Sequence, residues 1–144
     1  MSIQKTRVFS LDEIDAIAQD LWALHNICSI YTFTGSLGAG KTTIIQSLLR
    51  SAGVTDLVTS PTFTIVNVYR NESHQSFFHF DLYRIKSLNE FLQGAFDEYL
   101  YAPNSWCFIE WPTIVMPLLT HNVCHVNIEY LENEKRKLSY AVVP

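Results

Sequence analysis

The stretch GSLGAGKTT at residues 35–43 places Gly35, Gly40, Lys41 and Thr42 at the defining positions of the pattern G-x-x-x-x-G-K-T. Glycines there let consecutive backbone amides turn inward around a phosphate, and the start of the following helix adds partial positive charge. Lys41 can bridge the β- and γ-phosphates, and the Thr42 hydroxyl can ligate the Mg²⁺ ion that spans them. The spacing therefore predicts a phosphate-binding loop, and the alternative is an ordinary glycine-rich turn with a surface lysine.

Such a loop hydrolyses nothing without a carboxylate from another strand, and two acidic residues are candidates. Glu110 ends the apolar run CFIE, and a carboxylate at the C-terminal end of a buried strand faces the crevice where phosphates bind. Asp81 in HFDLYR follows a second apolar run, where burial without a charged partner or metal is costly. The alternatives are a rim carboxylate for Glu110 and an ion pair with Arg84 for Asp81.

Three further residues have two interpretations each. Trp111, next to Glu110, can pack against nucleotide or cover the site, or it can fill the core. Thr62, in the sequence Ser-Pro-Thr, can act as a switch near the γ-phosphate or can belong to a proline turn. His79 is interpreted as a core or hairpin histidine and not as a general base.

The segments around the loop follow the order strand, loop, helix. Residues 28–34 are β-rich and mostly apolar, as a buried strand would be. From Thr42 to Ser51, apolar residues recur at helical spacing, and Gly53 can supply the left-handed stop. Upstream, the pattern predicts an extended piece at 6–9 and a helix from the Ser10 capping box through about His25.

Downstream of the loop, the pattern predicts a hairpin formed by residues 63–69 and 77–82, with NESHQ as its turn. A capping box at Ser87 and Glu90 starts a short helix that ends near Gly94, and a second short helix covers 96–101.

The C-terminal part is predicted as a buried strand over 106–112 and a second hairpin. In this hairpin, residues 126, 128 and 130 precede the charged turn ENEK, and residues 138, 140 and 142 follow it. The whole pattern predicts one α/β domain over residues 1–144. Its fold is P-loop NTPase-like, a mixed β-sheet with flanking helices and added antiparallel hairpins.

Composition limits the class of partner. The net charge of -4 and the ten scattered Lys and Arg residues disfavour nucleic-acid binding through the chain's own phosphate contacts. The three cysteines cannot all pair, lie in apolar runs and have no metal-ligand spacing, so we expect buried thiols in a reducing cytosol. The N-terminus lacks an apolar signal core, and no apolar run has membrane-spanning length. We therefore expect a cytoplasmic protein.

Several classes of P-loop protein are disfavoured. The base-reading motif N-K-x-D of GTPases and the ABC signature L-S-G-G-Q are both absent from the sequence. A small-molecule kinase needs an arginine-rich lid, whereas the five arginines here are widely separated. The kinase interpretation is therefore weak.

Four motifs together carry a specific resemblance. GSLGAGKTT, SPTFTIVNVY, HFDLYRI and FIEWP, in this order and spacing, resemble the TsaE family from about Ser10 to the terminal hairpin. The resemblance implies an ATPase needed to make threonylcarbamoyladenosine in tRNA. It also implies assembly with the proteins TsaB and TsaD, of which TsaD performs the transfer. The chain would bind and slowly hydrolyse ATP with Mg²⁺, and its contact with tRNA would be indirect.

The resemblance also implies roles for individual residues. Lys41, Asp81 and Glu110 would be catalytic, and Thr42 and Glu110 would hold magnesium. Thr43 is included with the nucleotide-binding residues, although its position suits an ordinary helix residue better. The full nucleotide-binding set is Leu11, Gly35, Leu37, Gly38, Ala39, Gly40, Lys41, Thr42, Thr43, Thr62, Asp81, Trp111 and Arg136.

Three functions remain open from the sequence. The first is a partner-dependent ATPase of tRNA modification, and the second is a small-molecule kinase. The third is an interaction module in which bound ATP only locks a conformation.

Overall fold

The computed structural model describes residues 3–36, 38–56 and 65–144. The strands are β1 (Ile3–Phe9), β2 (Ile30–Gly35), β3 (Val66–Arg70), β4 (Ser76–Asp81), β5 (Ser105–Glu110), β6 (Val123–Tyr130) and β7 (Arg136–Val143). The α-helices are α1 (Ile14–Trp22), α2 (Lys41–Ser51) and α3 (Leu88–Gln93). Short 3₁₀ helices cover Leu11–Glu13, Phe96–Tyr99 and Thr113–Leu118. No helix among these residues has the length and apolar content that a membrane crossing requires.

The seven strands form one mixed sheet in the order β1-β7-β6-β2-β5-β4-β3. Its centre is parallel, because β2 pairs with both β6 and β5, and β5 pairs with β4. Antiparallel strands complete the two edges, with β3 on β4 at one side and β7 and β1 at the other. The predicted fold class and both predicted hairpins are confirmed.

Helices cover both faces of the sheet, and side-chain alternation along the strands separates the two cores. Helices α1 and α2 pack with Phe77 and Phe108 on one face. Helix α3 and the later 3₁₀ segments pack with Phe78, Phe80 and Ile109 on the other. Odd-numbered residues of β4 and even-numbered residues of β5 therefore point toward the face that carries α2.

Aromatic rings stack across the α1 face. The ring of Trp106 lies 5.7 Å from that of Phe77 and 5.4 Å from that of Trp22, centroid to centroid. Phe77 stacks in turn on Phe108, whose ring lies 5.4 Å from that of Tyr31. Apolar burial on this scale, together with ring pairing, stabilises the sheet and its helices.

Some predicted boundaries were wrong. The first helix ends at Trp22 and not near His25, because the backbone N–H groups of Leu24 and His25 bond three residues back in a tighter turn. The strand predicted over 106–112 ends at Glu110, because Trp111 adopts a positive φ of 57° that breaks the extended backbone. The segment predicted as a helix over 96–101 is a single 3₁₀ helix that ends at Tyr99.

Other predictions were closer. Strand β1 extends the predicted 6–9 piece back to Ile3, because every residue from Ile3 to Phe9 pairs with β7. The three cysteines are free and buried as expected, although Cys28 lies in the turn before β2 and not within the strand. The first residues of the predicted 63–69 strand lie outside the described residues, and β3 begins at Val66.

Candidate nucleotide-binding site

Three strand ends meet at one edge of the parallel centre of the sheet. Strand β2 ends at Gly35, β5 at Glu110 and β4 at Asp81. Glu110 is in register with Phe33 of β2 on one side and with Asp81 of β4 on the other. The crevice beyond the carboxyl ends of parallel strands is where α/β folds bind ligands, so the topology brings the three predicted motifs together.

The Thr42 hydroxyl and the Glu110 carboxylate form the centre of this site. Thr42 is the second residue of α2 and lies over the end of β5, where its Oγ1 donates to Glu110 at 2.9 Å from Oε1 and 3.0 Å from Oε2. Glu110 is only 3% exposed. A buried carboxylate is stable only with such partners, which argues against the rim interpretation of Glu110.

Thr42 and Glu110 fit the coordination chemistry of Mg²⁺. Both offer hard oxygen ligands, and neighbouring oxygens around a magnesium ion lie about 3 Å apart, because each is roughly 2.1 Å from the metal. The observed oxygen separations of 2.9 and 3.0 Å match that spacing. Within the described ranges no group of three or more His, Cys, Asp or Glu is suited to hold an ion. An ion here would therefore need further oxygens from phosphate or water.

Lys41 lies in the same crevice and points back along the loop. Its Nζ donates to the carbonyl oxygen of Gly35 at 2.7 Å and lies 3.6 Å from the centroid of the Trp111 ring. Burial lowers the pKa of Lys41, while the nearby carboxylates of Glu110 and Asp81 act in the opposite direction. None of the ion pairs between described residues includes Lys41. The site therefore contains a buried cation that an anionic ligand could pair with.

Asp81 lies beside Glu110 at the end of β4. Burial raises the pKa of its carboxyl group, the backbone N–H of Tyr83 lowers it, and the charge of Glu110 raises it further. The Tyr83 N–H donates to Asp81 Oδ1 at 3.0 Å. Among the ion pairs between described residues, none joins Asp81 to Arg84. The predicted alternative of an Asp81–Arg84 pair is therefore wrong.

His79 contacts the site, which the sequence did not predict. Its side chain is completely buried, and Nε2 lies 2.7 Å from Glu110 Oε2. The available signal was alternation along the strand, since His79 lies two residues before Asp81 and therefore on the same face of the sheet. The core interpretation of His79 is correct for its burial but incomplete, because the ring contacts a predicted metal ligand.

Trp111 covers the Lys41 ammonium. Its positive φ directs the chain away from the sheet immediately after Glu110, and its ring lies 5.0 Å from the exposed ring of Tyr83. A cation over the face of an indole is stabilised electrostatically. Of the two interpretations, the structure favours the one in which Trp111 covers the site.

The C-terminal hairpin holds the loop from its other side. The Tyr130 hydroxyl donates to the carbonyl oxygen of Gly38, and Arg136 Nε donates to that of Ala39 at 3.2 Å. Arg136 also donates to the Tyr130 hydroxyl at 3.1 Å. These contacts link the loop to residues about ninety positions away in the sequence, a link that no sequence pattern indicated.

An open cleft of about 510 Å³ adjoins this hairpin. Leu11 and Arg136, both members of the predicted nucleotide-binding set, line it together with Ser10 and Tyr130. Ligand sites of small molecules commonly have volumes of about 300–1,000 Å³. The cleft therefore has room for the part of a nucleotide that extends beyond the phosphates.

Two predicted nucleotide contacts, Leu37 and Thr62, lie outside the described residues. Thr43 is exposed in the first turn of α2, which suits its interpretation as an ordinary helix residue. The remaining predicted positions lie along the loop, at the ends of β4 and β5, or in the cleft.

Comparisons with known proteins agree with this geometry. Residues 8–138 match the model of a family described as "Threonylcarbamoyl adenosine biosynthesis protein TsaE". The chain is 31% identical to the TsaE protein of Bacillus subtilis over 139 residues, covering 96% of this chain and 85% of that protein. It is 37% identical to the TsaE protein of Rickettsia conorii over 111 residues, covering 76% of this chain and 62% of that protein. The crystal structure of Bacillus subtilis YdiB superposes with a TM-score of 0.77 at 27% identity, covering 100% of this chain and 88% of that one.

Proposed function

This chain belongs to the TsaE family of threonylcarbamoyl adenosine biosynthesis proteins, and we propose that it binds and slowly hydrolyses magnesium ATP to support threonylcarbamoyladenosine formation in tRNA. The resemblance inferred from its motifs is thereby confirmed at the level of the family. TsaD and TsaB are its proposed partners, and tRNA contact is proposed to occur through them.

One observation supports ATP hydrolysis best. Thr42 and Glu110 bring a hydroxyl and a carboxylate within 3.0 Å of each other, and the neighbouring Lys41 is buried and forms no ion pair with a described residue. Phosphoryl transfer in P-loop proteins depends on a lysine, a magnesium ligand on the helix and a carboxylate from a second strand. Lys41 and Thr42 at the start of α2 and Glu110 at the end of β5 are residues of these three types.

Each residue of the site has a proposed task. Lys41 would exchange the carbonyl of Gly35 for phosphate oxygens, and the loop amides would surround the same anion. Thr42 and Glu110 would hold Mg²⁺, which supplies charge neutralisation when bound. Asp81 would orient the attacking water, since a carboxyl group with a raised pKa is a better proton acceptor. Water would attack the γ-phosphorus and pass a proton to Asp81, and the bond between the γ-phosphorus and the bridging β-phosphate oxygen would break, giving ADP and phosphate.

Three of the five arginines form contacts away from the Thr42–Glu110 pair. Among the described contacts, Arg7 pairs with Asp20, Arg50 pairs with Asp15, and Arg136 bonds to the loop carbonyl of Ala39. None of these contacts reaches Thr42, Lys41 or Glu110. An arginine that stabilises the transferring phosphoryl group accelerates such reactions by about 10³–10⁵-fold. We propose that these three arginines do not supply that charge and that a partner contributes to turnover.

Replacing Lys41 with Ala tests whether this residue binds the phosphates of ATP. Charge-assisted bonds to a buried group contribute about 1.5–3 kcal/mol, so ATP affinity should fall by roughly 10- to 100-fold. Titration calorimetry measures the affinity, and Lys86→Ala, which removes an exposed lysine, serves as the control. Unchanged ATP affinity in Lys41→Ala would refute the assignment.

Replacing Glu110 with Gln tests the hydrolytic role. The amide keeps an acceptor for Thr42 but removes the charge that holds Mg²⁺, so ATP turnover should fall by at least about 100-fold. Phosphate release measured under saturating ATP gives the rate. Turnover equal to that of the unsubstituted protein would remove Glu110 from the mechanism and favour a module in which ATP only locks a conformation.

Reconstitution tests the proposed pathway role most directly. Threonylcarbamoyladenosine formation is measured with tRNA, TsaD and TsaB, with and without this protein, at several ATP concentrations. The expected result is modification that depends on both the protein and ATP and that is lost with Lys41→Ala. Equal modification in its absence would contradict the proposal, and a phosphorylated metabolite would favour the kinase alternative.

A further inference from the structure

The imidazole of His79 contains an unpartnered polar atom next to the site. Within the described part of the chain, His79 Nδ1 is the one buried side-chain nitrogen or oxygen without a hydrogen-bond partner. The residue is 0% exposed. Leaving such an atom unpaired in the interior costs about 1–3 kcal/mol, so a hydrocarbon side chain would fill this position at lower cost.

The other nitrogen of the ring explains why a histidine is useful here. Nε2 lies 2.7 Å from Glu110 Oε2, and Glu110 offers only acceptors when ionised. Because Nδ1 faces no acceptor, the surroundings assign the ring proton to Nε2, which then donates to Glu110. Histidine thus provides a fixed donor that leucine or phenylalanine could not provide.

This donor contacts the Glu110 carboxylate from β4, whereas the Thr42 hydroxyl contacts it from α2. The imidazole itself is fixed because its strand pairs with β5 along its whole length. Two donors from different elements define the plane of the carboxylate before any ligand arrives.

We propose that His79 is a positioning residue for Glu110 and that its Nε2–H orients the carboxylate for Mg²⁺. The inference rests on the proposed function, because it assumes that Glu110 ligates the ion. Outer partners of metal ligands commonly contribute 10- to 100-fold to metal affinity. His79 would act through Glu110 and would not touch nucleotide.

The test measures magnesium-dependent ADP binding and does not need turnover. Titration calorimetry gives the Kd for ADP in Mg²⁺ and again in EDTA, and the ratio of the two values is the magnesium enhancement. Substituting His79→Leu should lower this enhancement by about tenfold or more, while the Kd in EDTA stays within about twofold.

Conservative variants separate positioning from packing. The amide nitrogen of His79→Gln reaches the place of Nε2 and should retain the enhancement, whereas that of His79→Asn reaches only the place of Nδ1 and should lose it. His125→Leu is the matched control, because this histidine on β6 bonds to Thr32 at 2.7 Å, outside the site. Thermal unfolding of each variant checks that it folds, and the Gln and Asn pair decides the question if His79→Leu does not fold.

Two outcomes would overturn the inference: an unchanged enhancement in His79→Leu, or equal enhancements in the Gln and Asn variants. Glu110→Gln separates this failure from failure of the proposed function. If Glu110→Gln also leaves the enhancement unchanged, the magnesium site itself is wrong. If Glu110→Gln abolishes it and the His79 variants do not change it, only the role of His79 is wrong.

Discussion

At the scale of single residues, Asp81 illustrates how a site can lower the stability of the protein that carries it. Burial raises its pKa above the ordinary value of 3.8, and the charge of Glu110 adds to this effect. The folded state therefore disfavours the ionised form, and the penalty is present above the raised pKa. The penalty disappears as the pH falls below 3.8, because the group is then protonated in both the folded and the unfolded state.

Substituting Asp81→Asn should therefore stabilise the protein near neutral pH. The amide oxygen can still accept the N–H of Tyr83, and no charge is buried. We expect a gain in unfolding free energy of less than about 1 kcal/mol, because the carboxylate is partly solvated. The gain should grow as the pH rises from 3.8 through the raised pKa and should vanish below 3.8.

Urea denaturation at several pH values measures this dependence, with the exposed Asp56→Asn as the control. A loss of stability at pH 7, or a gain that is larger at pH 3 than at pH 7, would contradict the assigned environment of Asp81.

The residues of the site differ in how far the sequence identified them. Lys41 and Thr42 were predicted from the spacing of the G-x-x-x-x-G-K-T pattern, which is typical of phosphate binding. Glu110 was predicted from its place at the end of an apolar run. His79 was not identified, because its importance depends on the register between β4 and β5. That register follows from the packing of the whole sheet and not from local propensity.

At the scale of elements, two of the three glycines in the connection from β2 through the loop to α2 have different constraints. Gly35 has φ 141°, and a Cβ there would lie well inside van der Waals distance of the Ile128 carbonyl oxygen. Gly38 has φ 79°, and a Cβ there would meet no atom within 4 Å. Both glycines have a positive φ, which residues with a side chain rarely adopt. Only at Gly35 would a side chain also clash with a neighbouring strand.

Gly35→Ala should therefore destabilise the protein more than Gly38→Ala. Left-handed backbone strain alone costs about 1–2 kcal/mol, which we expect for Gly38→Ala. Gly35→Ala adds a clash with the backbone of β6, so we expect a loss of more than about 3 kcal/mol. Thermal unfolding compares the two variants, and equal losses would show that β2 and β6 can move apart at this point.

The elements themselves were predicted well where local chemistry determines them. Ser87 accepts the N–H of Glu90 and starts α3 as its sequence predicts. The ends of α1 and β5 were misplaced, because they depend on a tighter turn at residues 23–25 and on the positive φ of Trp111. No glycine or proline lies at residues 23–25 or at residue 111, so the local sequence did not indicate where either element ends.

At the scale of the whole molecule, the C-terminal hairpin is part of the candidate nucleotide site. Arg136 is only 7% exposed and bonds to the carbonyl of Ala39 across the sheet. Its guanidinium also lies 4.6 Å from the centre of the Tyr130 ring. A substitution in β7 should therefore change the loop without touching its sequence.

Arg136→Met should increase amide hydrogen exchange in residues 38–40 and weaken ATP binding by about tenfold, because it removes one charge-assisted bond. Mass spectrometry measures the amide exchange, and titration calorimetry measures the ATP affinity. Lys137→Met removes the same charge from the neighbouring residue of β7 and serves as the control. If both variants show the same amide exchange in residues 38–40 and the same ATP affinity, the hairpin does not hold the phosphate-binding loop.

The placement of the three tryptophans has an optical consequence. Trp22 and Trp106 form an edge-to-face pair in the aromatic stack, whereas Trp111 lies against Lys41 at the far end of β5. Trp106 and Trp111 are five positions apart in the sequence, which corresponds to about 17 Å of extended backbone. The indole pair should dominate the near-ultraviolet circular dichroism and disappear on unfolding, while a change in emission on nucleotide addition should come from Trp111. One unlabelled molecule can therefore report folding and ligand capture through separate chromophores.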